Sequence, residues 1–210
     1  MTMGKDSYRK SAAVYDLVIG SLNVALKRKR RRLAPPIRGM KVLDVGCGTG
    51  TDLEMYSQAG CDVHGVDVSP AMLRVARRRL GERADLRLCS ATQLPFEEEF
   101  FDLVLSTYTL HEISYEERSS VILEMMRVVK SSGRILLTDY LPGPFRFPYG
   151  WIVEMLTYIL ERSAGREHYN NSRDFMRRGG LRGLVDHSCL NVEEQTVVSG
   201  GNIGFFLLTV

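Results

Sequence analysis

The sequence has few cysteines and no long hydrophobic run. Its four cysteines form no CxxC pair, so we expect reduced, buried thiols in place of a zinc site or a disulfide framework, and we predict no metal site. No apolar stretch reaches the ~18 residues that cross a bilayer. The first ten residues lack the hydrophobic core of a secretory signal. These absences predict a soluble, cytoplasmic protein.

A large charge imbalance is also missing. The net charge of +3 is too small to predict a nucleic-acid partner. The local run KRKRRR at residues 27–32 is predicted to end an N-terminal helix with solvated cations that complement the helix dipole. Anionic lipid headgroups or RNA are its alternative ligands, which leaves peripheral contact with an anionic membrane open.

The chain is long enough for a single domain, with 210 residues of which 44% are hydrophobic. From residue 41 onward, short β-rich runs alternate with longer helical stretches, which predicts an α/β fold with a doubly wound, mainly parallel sheet. The predicted strands are KVLDV, VHGVD, DLRLC, FDLVLS and GRILLTDY. We divide the domain into a helical cap at 1–38, a core at 39–140, an inserted lid at 141–171, and a final helix with a hairpin at 172–210.

Two helix starts carry recognisable capping residues. Ser69 and Pro70 supply an N-cap and a first-turn proline. Ser114 and Glu117 form a predicted capping box at the start of the next helix. The residues expected to be buried by these two helices are Met72, Leu73, Ala76 and Leu80, then Val121, Ile122, Met125 and Val128.

The C-terminal part departs from simple βα repetition. A helix is predicted near 172–187, followed by NVEEQTVV and NIGFFLLTV with only SGG between them. So short a link permits an antiparallel hairpin and no crossover helix. The sheet is therefore expected to end in one antiparallel strand.

A glycine-rich turn, VLDVGCGTG at 42–50, follows the first strand. Gly46, Gly48 and Gly50 leave room for a ligand beside the free N–H groups of a helix start, although glycines also serve tight turns without a ligand. Asp67, at the end of the second strand, is placed to accept hydrogen bonds from ribose hydroxyls. The turn therefore predicts a nucleoside-containing ligand.

Two residues indicate which nucleoside ligand it is. The dinucleotide fingerprint G-x-G-x-x-G needs a third glycine where this chain has Thr51, which disfavours a pyrophosphate. Asp44 is expected to point a carboxylate into the same cleft, and this charge would suit a ligand with an ammonium or sulfonium group.

Five motifs stand in the order and spacing of a known family. VLDVGCGTG, VHGVDVSPAML, LCSATQLPF, FDLVLSTYTLHEI and VVKSSGRILLTDY resemble the class I S-adenosylmethionine (SAM) dependent methyltransferases, especially the small-molecule branch with the ubiquinone/menaquinone C-methyltransferases. The resemblance implies a Rossmann-like seven-stranded sheet with the last strand antiparallel, SAM as cofactor, and methyl transfer to a small, partly apolar molecule.

The resemblance also implies roles for single residues. It places the methionine end of SAM against Asp44, Gly46, Cys47 and Gly48, and the ribose against Asp67. It places the adenine between Val68 and Met72, with Ser90 and Ala91 at its amino group. The methyl-transfer end is placed against Thr107 and Tyr108. Ser90 stands where the family has an acid. Tyr15 corresponds to a lid residue over the cofactor, with ordinary helix packing as the alternative.

Methyl transfer from a sulfonium is an in-line displacement, so positioning and exclusion of water are the main tasks of the protein. His111, just past Tyr108, is a candidate general base, with a purely local hydrogen-bonding role as the alternative. The attacking atom is not readable from the sequence. Phospholipid N-methylation at a membrane surface, methylation of nucleic acid or protein, and non-catalytic SAM binding are the alternative functions.

The 141–171 segment contains a helix at 150–162 whose polar positions, Glu154, Thr157 and Glu161, form one narrow stripe. Most of this helix is expected to be buried, in the core or in a homodimer interface. A lid over an apolar substrate is the alternative.

Overall fold

We analysed a computed structural model that describes residues 26–163 and 165–210. The prediction for Tyr15 and most of the proposed 1–38 cap lie outside the described residues. The elements are α1 (residues 26–33), β1 (Lys41–Val45), α2 (Thr51–Gln58), β2 (Asp62–Asp67), α3 (Pro70–Leu80), β3 (Ala84–Leu88), β4 (Phe101–Thr107), α4 (Tyr115–Val128), β5 (Val129–Tyr140), α5 (Tyr149–Ser163), α6 (Arg166–Arg177), α7 (Gly180–Asp186), β6 (Asn191–Val198) and β7 (Ile203–Thr209).

The seven strands form one sheet in the order β3-β2-β1-β4-β5-β7-β6. The first five strands pair in parallel, and β7 is antiparallel to both β5 and β6. The predicted α/β class, the C-terminal hairpin and the antiparallel last strand are confirmed. The strand order reverses at β1, where β2 and β4 diverge on either side, and ligands of open α/β sheets bind at such a point.

Burial on both faces explains why the central strands read as continuous apolar runs. In β4 the buried side chains Leu103 and Leu105 pack with one cluster and Phe101 and Val104 with the other. The predicted inward faces of α3 and α4 are buried as expected. The core therefore lies on both sides of the sheet and holds the strand ends rigidly.

Capping follows the sequence at one helix and departs from it at another. The Ser69 hydroxyl accepts a hydrogen bond from the Met72 N–H at 3.2 Å, as predicted. At α4 the Ser114 hydroxyl instead donates to the Glu117 carboxylate at 2.8 Å and makes no capping bond to the backbone. The predicted capping bond from Ser114 is thus wrong, because the hydroxyl is directed at the nearby carboxylate and away from the backbone N–H groups.

The single helix predicted near 172–187 is two helices. Gly179 and Gly180 have φ of 95° and 59°, a left-handed conformation that ends one helix and starts the next on a new axis. The glycine pair explains the break between α6 and α7.

The expected burial of the 150–162 helix in the core of the chain is wrong, and its burial in a homodimer interface stays a prediction. In α5 the apolar side chains face outward, with Trp151 64% exposed and Met155 56% exposed. The polar stripe faces inward instead, so that Glu154 is partly buried and Glu161 is buried. The physical reason is that the Glu161 carboxylate lies against the imidazoles of His111 and His168, which hold this face against the core.

Candidate active site

A cavity opens at the carboxyl ends of β1, β2 and β4, where loops from neighbouring strands diverge. It brings together nine of the residues predicted from the sequence, namely Gly46, Gly48, Asp67, Val68, Met72, Ser90, Ala91, Thr107 and Tyr108. Thr109, Glu112, Ile113 and Glu117 also line it and were not predicted. Asp44, Cys47 and His111 are buried behind its wall.

The glycines of the first loop have different physical roles. Gly46 has a φ of 76°, and a Cβ there would lie 2.2 Å from Thr109 Oγ1, so no side chain fits. Gly48 has a φ of 52° and nothing within 4 Å of an added Cβ. Gly46 therefore lacks a side chain because Thr109 packs against it, whereas Gly48 lacks one where the cavity begins.

Asp67 joins this loop to the start of α3. Its carboxylate accepts hydrogen bonds from the Gly48 N–H and the Ser69 N–H, both at 2.8 Å. Each carboxylate oxygen has a second lone pair, and the side chain lies in the cavity wall. Asp67 can thus order the loop and accept hydrogen bonds from a ligand's hydroxyls at the same time.

Asp44 is a buried acid with an unmatched oxygen. It is 2% exposed, and its Oδ1 has no hydrogen-bond partner among the described residues. Burial raises its pKa well above the ordinary value, and the nearby carboxylate of Asp52 adds to the rise, while Arg30 opposes it. A buried acceptor without a partner calls for an explanation, and a cationic ligand group would satisfy it.

Arg30 departs from the prediction of solvated cations at 27–32. It is 2% exposed; its guanidinium forms an ion pair with Asp52 and donates to Thr107 Oγ1 at 3.1 Å. Arg28, Arg31 and Arg32 are exposed as predicted. Because a buried charge requires a partner, the carboxylate of Asp52 explains why one member of the run turns inward.

Tyr108 has a strained backbone at the cavity. Its φ is 53°, which is uncommon for a residue with a large side chain. Its N–H donates to the Thr138 carbonyl at 2.9 Å, and its ring packs on that of Tyr140 at 5.4 Å between centroids. Strain of this kind concentrates at functional sites, and here it turns the backbone after β4 along the cavity wall.

His111 lies one layer behind Tyr108. Its Nδ1 is 2.7 Å from Asp139 Oδ1, and its Nε2 is 3.5 Å from Glu161 Oε1. Burial alone would lower the pKa of His111, but the carboxylates of Asp139 and Glu161 raise it well above the ordinary value. Both ring nitrogens therefore face acids inside the protein, and the next residue, Glu112, reaches the cavity.

The chain of acids and histidines continues outward from His111. Glu161 Oε2 is 2.7 Å from His168 Nε2, and His168 Nδ1 is 3.9 Å from Glu112 Oε1. Hydrogen bonds to His111 and His168 lower the pKa of Glu161, against the effect of its burial. No local motif connects Asp139, Glu161 and His168, so sequence reasoning missed all three.

The comparisons with known proteins agree with this geometry. The family described as "Methyltransferase domain" matches residues 43–137. A demethylmenaquinone methyltransferase from Renibacterium salmoninarum is 35% identical over 85% of this chain and 76% of its own length. A phosphatidylethanolamine N-methyltransferase from Cereibacter sphaeroides is 29% identical over 94% of this chain and 93% of its own length.

A solved structure supports the fold. The SAM-dependent methyltransferase from Aquifex aeolicus superposes with a TM-score of 0.59 at 18% identity, over 88% of this chain and 89% of that chain. At this identity, the likeness extends to the architecture alone.

Proposed function

The chain belongs to the class I SAM-dependent methyltransferases, and from that premise we propose that it methylates a quinol-type ring that carries an apolar tail. Its relative from Renibacterium salmoninarum is named for a demethylated menaquinone. The single observation that carries the proposal is the cavity itself, whose lining combines the Asp67 carboxylate and the open space at Gly48 with the apolar side chains Ile113 and Val121.

The residues of the cavity fit SAM. Asp67 would accept hydrogen bonds from the ribose hydroxyls, and Asp44, with its unmatched Oδ1, would pair with the cationic methionine end. Val68 and Met72 would enclose the adenine, with Ser90 and Ala91 beside it. When bound, SAM supplies an electrophilic methyl group.

The protein's own contribution is positioning. Arg30 donates a hydrogen bond to Thr107, and the Thr138 carbonyl accepts one from the Tyr108 N–H. These bonds fix the cavity wall at the methyl-transfer end. In a displacement of this type, holding the attacking atom in line with the methyl group is a main way in which a protein lowers the activation barrier. His111 as general base stays a prediction.

The acceptor would enter from the 141–171 segment. The large outward side chains of its helix α5 are apolar, and its exposed charged residues are three arginines, at 146, 162 and 166, and one acid, Glu167. An apolar face with a basic border is suited to an anionic membrane surface, where quinones with apolar tails dissolve. No helix among the described residues is long and apolar enough to cross a bilayer, so this contact would be peripheral.

The test is transfer of label from methyl-labelled SAM. The acceptor is a chemically reduced demethylmenaquinol in vesicles that also contain phosphatidylethanolamine. We expect label on the quinol ring carbon and none without protein. The proposal would be contradicted if the Asp67→Ala variant labelled the quinol ring at the wild-type rate. It would also be contradicted if the wild-type protein labelled no quinol at any quinol concentration.

Phosphatidylethanolamine is the second candidate acceptor. The Cereibacter sphaeroides relative covers nearly the whole chain, and an amine headgroup would sit at the same membrane surface. Label in the lipid headgroup fraction and not in the quinol would assign this second function.

A further inference from the structure

Three potential metal ligands from separate elements converge behind the cavity wall. His111 lies between β4 and α4, Glu161 lies near the end of α5, and His168 lies in the first turn of α6. One ligand atom from each lies within 4.8 Å of the other two. From this convergence we propose that His111, Glu161 and His168 bind a divalent transition-metal ion that fastens the α5–α6 pair to the core.

The outer contacts of these residues favour metal binding. A metal-bound histidine usually places its second ring nitrogen against a carboxylate or a carbonyl. His111 does so with Asp139 at 2.7 Å, and His168 Nδ1 faces Glu112 at 3.9 Å. Asp139 is itself held by the backbone N–H groups of Leu110, His111 and Tyr140. The orientation of the His111 ring is therefore fixed from behind.

The charges at this site also call for a cation. Asp139, Glu161 and Glu112 surround two imidazoles, and a divalent ion bound to neutral imidazoles would offset most of their negative charge. Two nitrogens and one carboxylate suit zinc, manganese, iron, cobalt or nickel, whereas magnesium and calcium prefer sites built from oxygen.

His64 provides a comparison within the same chain. It also has two acids nearby, with Asp62 at 3.2 Å from Nε2 and Asp85 at 3.4 Å from Nδ1. These acids lie on opposite ring nitrogens, so no single point is near all three ligand atoms. Two acids next to a histidine thus do not make a chelate, and the convergence on Glu161 is what distinguishes the proposed site.

Metal binding would restrain the positions of α5 and α6. Glu161 and His168 flank the junction of α5 and α6, while His111 belongs to the loop after β4 that carries Tyr108 and Glu112. A shared ion would hold α5 and α6 against this loop. Coordination by His111 Nε2 and a general-base role for that nitrogen exclude each other, so the metal titration also decides between these two roles.

The test uses tag-free protein that has been stripped with a chelator and titrated calorimetrically with Co²⁺ and Zn²⁺. We expect one equivalent to bind, visible-range absorption from Co²⁺, and two strongly shifted imidazole N–H signals in the NMR spectrum of the Co²⁺ protein. His168→Gln should weaken binding at least tenfold, whereas the matched control His64→Gln should leave it unchanged. Trypsin cleavage at the exposed Arg162 and Arg166 should slow in the wild type when metal is present.

The absence of saturable binding, or equal binding by wild type and His168→Gln, would overturn the metal site. If His168→Gln fails to fold, the number of shifted imidazole signals in the wild type decides alone, and fewer than two overturns it. SAM calorimetry on the same metal-free samples separates this result from the proposed function, because the cofactor residues Asp44 and Asp67 lie outside the site.

Discussion

The strand-end rim of the sheet, meaning the residues around Asp44, Gly46, Gly48 and Asp67, differs from helix α5 in how its charged side chains are paired. At the rim, Asp67 lies beside backbone N–H groups and Asp44 is buried with an unmatched oxygen. In α5, Glu161 is paired by His111 and His168, while the apolar side chains face outward. At the rim, the polar groups of Asp44 and Asp67 would be completed by a bound ligand. At α5, the exposed apolar side chains would be covered by a surface outside the protein.

Under the proposed function, this difference would let one chain bind two unlike substrates. A polar, charged cofactor requires fixed acceptors in a narrow cavity, and the sheet supplies them rigidly. An acceptor with an apolar tail requires exposed apolar surface, which costs stability unless the helix is held by other means. The buried contacts of Glu161 with His111 and His168 hold the helix in place.

The largest expected effect separates two glycines of the rim. Gly46→Ala would place a Cβ against Thr109 at a positive φ, which should cost roughly 3 kcal/mol of folding free energy. Gly48→Ala meets no atom and should cost about 1 kcal/mol while weakening SAM binding. Thermal unfolding and calorimetry on both variants check this, and a fully stable Gly46→Ala protein would show that the loop is less constrained than the structure has it.

The next effect concerns Asp67. Asp67→Ala should weaken SAM binding about 100-fold, because it removes charge-assisted hydrogen bonds to the loop and to the ribose. Asp62→Ala, an exposed acid at the other end of the same strand, is the matched control and should bind normally. Equal affinities for the two variants would exclude Asp67 from the cofactor site.

Asp44 should give a smaller, pH-dependent effect. Since burial raises its pKa in the free protein, SAM affinity should rise as the pH rises through that pKa and the carboxylate ionises. The same raised pKa means that the free fold loses stability as the pH rises. Asp44→Asn should therefore stabilise the free protein at neutral pH, bind SAM about tenfold more weakly, and lose this pH dependence.

The smallest effect is expected at the surface of α5. Trp151→Glu changes a side chain that is 64% exposed, so the fold should be unaffected while sedimentation with anionic vesicles falls severalfold. Leu123→Glu, at a 63% exposed apolar position on α4, should leave vesicle binding unchanged. Equal sedimentation of both variants, or a dimer that loses its partner in Trp151→Glu, would assign the α5 face to another role.

The sequence predicted the sheet and most of the rim because those signals are local. KVLDV, the glycines at 46 and 48, and the Ser69–Pro70 start each act within a few residues of their own positions. The break at Gly179 and Gly180 also has a local signal, a glycine pair inside the predicted helix. Local patterns were sufficient wherever one element determined its own geometry.

The orientation of α5 could not be predicted in this way. An amphipathic pattern identifies two faces of a helix, and the apolar face is normally the buried one. Here the contacts of Glu161 involve His111 from the loop after β4 and His168 from α6, and they reverse that expectation. Arg30 is a similar case, since Asp52 and Thr107 draw it inward from a run of otherwise exposed cations.

The most direct test of the central claim is calorimetry of the wild-type protein with SAM and, separately, with NAD. The buried acid Asp44 behind the cavity wall, together with Thr51 in place of a third glycine, predicts saturable binding of SAM and none of NAD. Tight binding of NAD without binding of SAM would contradict the account of this site.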